Sequence, residues 1–101
     1  MAFDFYLGED STFIDHHEEG IFELINDNEQ YPQLNWLWEN FYDGPLIAPN
    51  IANKLVHELI ELRQQLYHRK EHSYLLIPID RILPLLNKAY VCNSPVKCMS
   101  D

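Results

Sequence analysis

A chain of 101 residues forms one domain with room for a single modest core. Hydrophobic residues make up 47% and aromatic residues 13% of it, which argues against disorder. The formal charge of -9 is lopsided, because the first 53 residues hold 11 acids and neither lysine nor arginine; such a field repels nucleic acid and anionic lipid and attracts cationic surfaces.

From the N-terminus, Phe3, Phe5 and Leu7 alternate with Asp4 and Tyr6. This period of two predicts a short strand over Ala2 to Leu7, ended by Gly8. Glu9 to Thr12 reads as a polar turn. A mixed helical stretch is expected from about Ser11 to Asn26, as one helix or as two divided near Gly20. Tyr31 to Tyr42 reads more clearly as a helix. Pro32 suits its first turn, and Leu34, Leu37, Trp38 and Phe41 fall on one face. Asp43-Gly44-Pro45 stops it, and Leu46 to Ala48 is a short extended connector.

A long helix is predicted from Pro49 or Asn50 to Glu71. Ile51, Leu55, Leu59, Leu62 and Leu66 recur every three to four residues, while Glu58 and Arg63 face away. Tyr74 to Ile77 reads as a buried crossing. Pro78 and Asp80 then open a last helix, with Asp80 as N-cap and Ile82, Leu83, Leu86 and Tyr90 as its inner face. Pro84 lies near its start, where a proline is tolerated. Val96 to Met99 alternates again and reads as a strand. Strands cannot stand alone, since their backbone groups need partners. The expected fold is therefore mainly α: a compact bundle of four to five helices with a small two-stranded sheet formed by the N- and C-terminal strands.

The chemical motifs are few. His68, Glu71 and His72 match the H-x-x-E-H pattern of inverted zinc peptidases. Arg69 and Lys70 place two cations inside that motif, and only Asp80 and Asp101 follow it as acidic ligands. Asp15-His16-His17-Glu18-Glu19 reads as a solvated acidic face, because adjacent helical histidines point about 100° apart. No glycine-rich phosphate loop and no G-x-S-x-G elbow is present. Cys92 and Cys98 have no zinc-site spacing and read as reduced, semi-buried small side chains. No enzyme activity, metal or cofactor is expected. No apolar run approaches the ~20 residues that span a bilayer. The opening MAFDFYLGED lacks the basic and apolar regions of a secretory signal, so a cytoplasmic location is expected.

The base-free half supplies a candidate docking surface for a cationic protein. Its expected contact residues are Glu9, Asp10, Asp15, Glu18, Glu19, Glu23, Asp27 and Glu29. Trp36 and Tyr42 lie off the inner stripe of their helix and serve as aromatic anchors, the residue type enriched at binding hot spots. Nucleic acid and membrane are not expected partners.

Three stretches carry a resemblance: FDFYLGED, YPQLNWLWENFYDGPLIAPNIANKLVHELIEL and PVKCMSD. Together they resemble small, acidic, mainly helical bacterial immunity proteins of contact-dependent growth inhibition systems, most of all the partners of ribonuclease-type toxins. The resemblance implies a protein that binds a basic nuclease toxin and occludes its active site. It assigns no inhibitory residue by position. A generic acidic interaction or regulatory module with another basic partner is the alternative.

Overall fold

The computed structural model describes residues 3–100. Ala2, the expected first residue of the N-terminal strand, and Asp101 lie outside the described residues. The chain forms β1 (Phe3–Leu7), β2 (Asp10–Ile14), α1 (Gly20–Ile25), α2 (Pro32–Asn40), β3 (Leu46–Ile47), α3 (Pro49–Tyr67), α4 (Leu76–Val91) and β4 (Val96–Ser100). One-turn 3-10 segments at His16–Glu18 and Phe41–Asp43 and a longer one at Lys70–Leu75 join them.

The expected two-stranded sheet is corrected by the structure. The sheet has four antiparallel strands in the order β2-β1-β4-β3, and the fold is mixed, with helices packed on a sheet. The segment expected as a turn and helix start is β2. A two-residue loop, Gly8 and Glu9, returns the chain so that Leu7 faces Asp10 and Phe3 faces Ile14. Gly8 has φ +59, the left-handed geometry that a tight hairpin asks of its first loop residue. The connector after Gly44 is β3, which pairs Leu46 with Lys97 and Ile47 with Val96.

Alternation divides the sheet into two faces. Phe3, Phe5, Leu7, Thr12, Ile14, Ile47, Val96 and Cys98 are buried beneath the helices. An aromatic cluster fills the junction of β1 with α1 and α2. The Phe41 ring stacks on Phe3 at 4.0 Å and meets Phe5 edge-on at 5.5 Å. Phe22 stacks on Trp38 at 4.9 Å, clamping α1 to α2.

α3 buries Ala52, Leu55, Leu59, Leu62 and Leu66 and ends at Tyr67, four residues before the expected Glu71. α4 differs more. It starts at Leu76 rather than at Pro78, and Asp80 is not its N-cap. Tyr74 and Ile77, expected in the core, are exposed. Pro84 sits in the helix interior, where it removes one backbone hydrogen bond. The inner face is Ile79, Ile82, Leu85, Leu86 and Ala89, and Tyr90 is exposed.

One helix start depends on a distant side chain. Tyr31 precedes α2 and has no capping side chain. Glu58 of α3 takes that role, accepting the backbone N–H groups of Gln33 and Leu34 at 3.0 Å. Those donors would otherwise lack helical partners, and the negative carboxylate suits the positive helix end. Burial holds the Glu58 carboxyl above its ordinary pKa, only partly opposed by the two N–H groups. Replacing Glu58 with alanine should cost about 1–2 kcal/mol, the range for a lost helix cap, read from the urea midpoint at pH 7. A change below about 0.5 kcal/mol, the range of an ordinary surface substitution, would show that the cap is dispensable.

Candidate protein-binding surface

The ten residues expected to form the docking surface separate into three groups. Glu18 leaves the surface altogether, being only 4% exposed. Its carboxylate receives Arg81 Nη1 at 2.7 Å and Nη2 at 3.2 Å. The N–H of Asp15 donates to Glu18 Oε1 at 2.9 Å, forming a capping box over the His16–Glu18 turn. Asp10 is paired with Lys88 of α4. Glu18 under cover and Asp10 at the surface are therefore both paired with bases from the other half of the chain. Glu19 Oε2 lies 2.8 Å from His16 Nδ1, and Asp15 is half-buried.

A second group stays open. Glu9 at the β1–β2 loop, Glu23 on α1, and Asp27 and Glu29 in the α1–α2 loop are exposed. Among the described residues none of them is paired with lysine or arginine. Glu39 at the end of α2 and Asp43 after it share that state. Both belong to the base-free 53 residues, and counting every acid there would have included them. The Phe22–Trp38 stack makes α1 and α2 one unit, so Glu23, Asp27, Glu29 and Glu39 project from a single rigid piece.

The loop that carries Asp27 and Glu29 has a defined shape. Asn35 of α2 donates its amide to the carbonyls of Ile25, Asn28 and Tyr31 at 3.0 to 3.1 Å. Its Oδ1 accepts the N–H of Asp27 at 3.1 Å. That bond helps hold Asp27 at φ +60, a conformation aspartate tolerates better than most residues. Beside the loop, Asn28, Gln30, Tyr31, Gln65 and Arg69 border a cavity of about 280 Å³. Burial, then the charges of Glu61 and Glu58, raise the Tyr31 pKa.

The third group is aromatic. Trp36 is half-buried and packs against the core, so its ring is part of the structure rather than a free anchor. Tyr42 is 59% exposed and meets Phe3 edge-on at 5.9 Å. It is the one of the two that a partner can reach.

The histidine motif does not assemble. α3 ends at Tyr67, His68 caps it, and Glu71 and His72 belong to the following 3-10 segment. The helical i, i+4 geometry that lets two histidines share an ion is therefore missing. Among the described residues, no group of three or more His, Cys, Asp or Glu side chains is placed to hold a metal ion. Both cysteines are free; Cys92 is exposed and Cys98 buried. Burial pushes the Cys98 thiol up to about 12, which keeps it protonated and unreactive. No helix among the described residues is long and apolar enough to cross a membrane. No protein-family model matches the chain, and no curated protein or solved structure shows significant similarity to it.

Proposed function

We propose that this chain is a cytoplasmic immunity protein that binds a basic, ribonuclease-type toxin and neutralises it by covering the toxin's active site. The observation that carries this reading is the set of exposed carboxylates that internal pairing leaves in the base-free first half of the chain: Glu9, Glu23, Asp27, Glu29, Glu39 and Asp43. A ribonuclease holds a polyanion with cationic side chains, and a rigid anionic surface competes for the same side chains. Opposite fields also raise the association rate, up to about 10⁸–10⁹ M⁻¹s⁻¹ at low salt. The backbone that carries these acids between α1 and α2 is held by the Asn35 hydrogen bonds and the Phe22–Trp38 stack, so little backbone order is lost when they meet a partner.

The test uses the wild-type protein and the triple variant Glu23→Lys, Asp27→Lys, Glu29→Lys as baits in a lysate of the producing organism. Wild type should retain a basic polypeptide whose ribonuclease activity is abolished by one equivalent of the bait. The triple variant should associate at least about tenfold more slowly at low salt, and the gap should shrink as salt screens the charges. Retention of no basic polypeptide, or no inhibition of the one retained, would overturn the reading. Equal association rates for the two baits would show that the α1–α2 acids do not steer.

A further inference from the structure

The side of the sheet turned away from the helices carries large apolar groups. Cross-strand register places Phe13, Asp4 and Met99 in one row, and Ser11, Tyr6, Lys97 and Leu46 in the next. Of these, Tyr6 and Phe13 are each 39% exposed, Met99 50% and Leu46 63%. A solvent-facing antiparallel sheet is normally polar on its open side. Here each of the four strands contributes one exposed large apolar side chain. With strands ~4.8 Å apart, the patch runs ~14 Å across the sheet. The four lie diagonally to one another, alternating with Asp4, Ser11 and Lys97, at separations that aromatic and long side chains span. The Arg81 guanidinium lies over the Phe13 ring, and exposed apolar groups gathered in this way mark an interaction site.

The surroundings select the kind of occupant. Asp15 follows β2 and Asp43 precedes β3 at the Phe3 end of the sheet, and Glu9 follows β1 at the opposite end. Asp4 and Lys97 stand within these two rows and offset each other in charge. The field over the face therefore comes from the acids at its two ends, which fits a partner that offers apolar side chains ringed by lysine and arginine. A second copy of this chain fits poorly, because it brings a second charge of -9 against the first.

We infer that the open face of the sheet, centred on Tyr6 and Met99, is the apolar core of the contact with the basic toxin. This inference rests on the function proposed above. It divides the labour between two surfaces. The acids of the α1–α2 unit speed encounter through their field, whereas the sheet face sets the lifetime of the complex through desolvated contact. Tyrosine and methionine are both enriched at interface cores.

The test is the double variant Tyr6→Ser, Met99→Ser in the full chain, with the ribonuclease retained by wild type as probe. Both positions are on the open side of the sheet, so the variant should stay folded at the assay temperature, at a cost of no more than about 1 kcal/mol per position, checked by its melting curve. Dissociation should be at least ~30-fold faster with the association rate within about twofold, the pattern of a lost interface core rather than lost steering. Dissociation at the wild-type rate overturns the inference and leaves the immunity reading standing. A wild-type chain that elutes as a dimer, and becomes monomeric in the double variant, overturns it in favour of a second copy. If wild type retains no basic ribonuclease, the immunity reading fails and this inference fails with it.

Discussion

Replacing Arg81 with methionine should destabilise the protein by about 3–5 kcal/mol at pH 7, the cost of stranding a buried charge. Arg81 ties α4 to the stretch 12–18, which is distant from it in sequence. It holds Glu18, 63 positions away, through two hydrogen bonds. It donates to the carbonyl of Phe13 in β2 at 3.2 Å, and its guanidinium lies 4.5 Å from the Phe13 ring centre. Its own carbonyl accepts from Thr12 Oγ1 at 3.3 Å. Methionine keeps much of the stem packing but leaves the Glu18 carboxylate under cover without a cation. Burial acts to raise the Glu18 pKa, yet hydrogen bonds from Arg81 and the Asp15 N–H, with the charges of Arg81 and His17, hold it below the ordinary carboxylate value. A carboxyl so depressed contributes stability that is present above its unfolded pKa and lost as pH falls through the folded value. Without Arg81 two of the influences that hold it down are gone, so Glu18 takes a proton more readily than in wild type, and the deficit should be smaller at about pH 4.5 than at pH 7. The double change Glu18→Gln, Arg81→Met should recover most of the loss, because a neutral pair leaves no stranded charge. Urea unfolding of the three proteins at both pH values measures this. A single-variant deficit below about 1 kcal/mol, the scale of an exposed ion pair, would show that the pair behaves as a surface salt bridge.

The same pair shows where charge counting stops. The imbalance between the two halves was plain in the sequence, but pairing depends on where the chain folds back. Asp10 and Lys88 lie 78 positions apart and Glu18 and Arg81 lie 63 apart. Only the β1–β2 hairpin laid beside α4 brings them together. The residual field is therefore narrower than the composition suggests, and its fixed part sits on α1–α2. α3 was legible because Leu55, Leu59, Leu62 and Leu66 keep a helical period long enough to exclude alternatives. β2 was not, because Asp10-Ser11-Thr12 favours turns and caps locally. The free edge of β1 overrides that preference by offering backbone partners, and Thr12 can turn inward because its hydroxyl finds the Arg81 carbonyl. Gly8 was the available signal: a glycine followed by one polar residue between two alternating segments is a hairpin loop. The start of α4 was misread for a related reason. Pro78 resembles a first-turn residue, but the Lys70–Leu75 turn already runs into helical geometry at Leu76. Pro84 inside α4 is carried by burial of Ile82, Leu85, Leu86 and Ala89 around it, a gain that exceeds one missing hydrogen bond. The open sheet face was invisible for want of β2 and β3. Without those strands, Phe13 and Leu46 had no common surface with Tyr6 and Met99.

Replacing Phe41 with alanine should cost about 3–5 kcal/mol, the range for removing a buried phenylalanine. For a domain of this size that is a fall in melting temperature of roughly 14–24 °C. Phe41 is 0% exposed and is the one ring in contact with both Phe3 and Phe5. It follows α2 directly and opens the 3-10 turn that ends at Gly44. The turn delivers the chain to β3, where the Pro45 carbonyl accepts the N–H of Cys98 at 3.0 Å. Alanine therefore opens a cavity at the centre of the sheet and also loosens the route by which β3 reaches its edge position. The cavity should collapse only partly, because Phe3 is held from other sides by Phe22 and Trp38. The conservative Phe41→Leu should cost less, since it keeps most of the apolar volume. The functional consequence separates this site from Arg81. Tyr42 and Asp43 belong to the same turn, so loosening it disturbs the acidic end of the open sheet face while leaving Glu23, Asp27 and Glu29 in place. Below its own melting transition, Phe41→Ala should dissociate from the captured ribonuclease faster than wild type, with an association rate still set by the α1–α2 acids. A variant that stays folded and dissociates at the wild-type rate would remove the Phe41–Gly44 turn from the contact and leave it to the sheet face around Tyr6 and Met99 and to the α1–α2 unit.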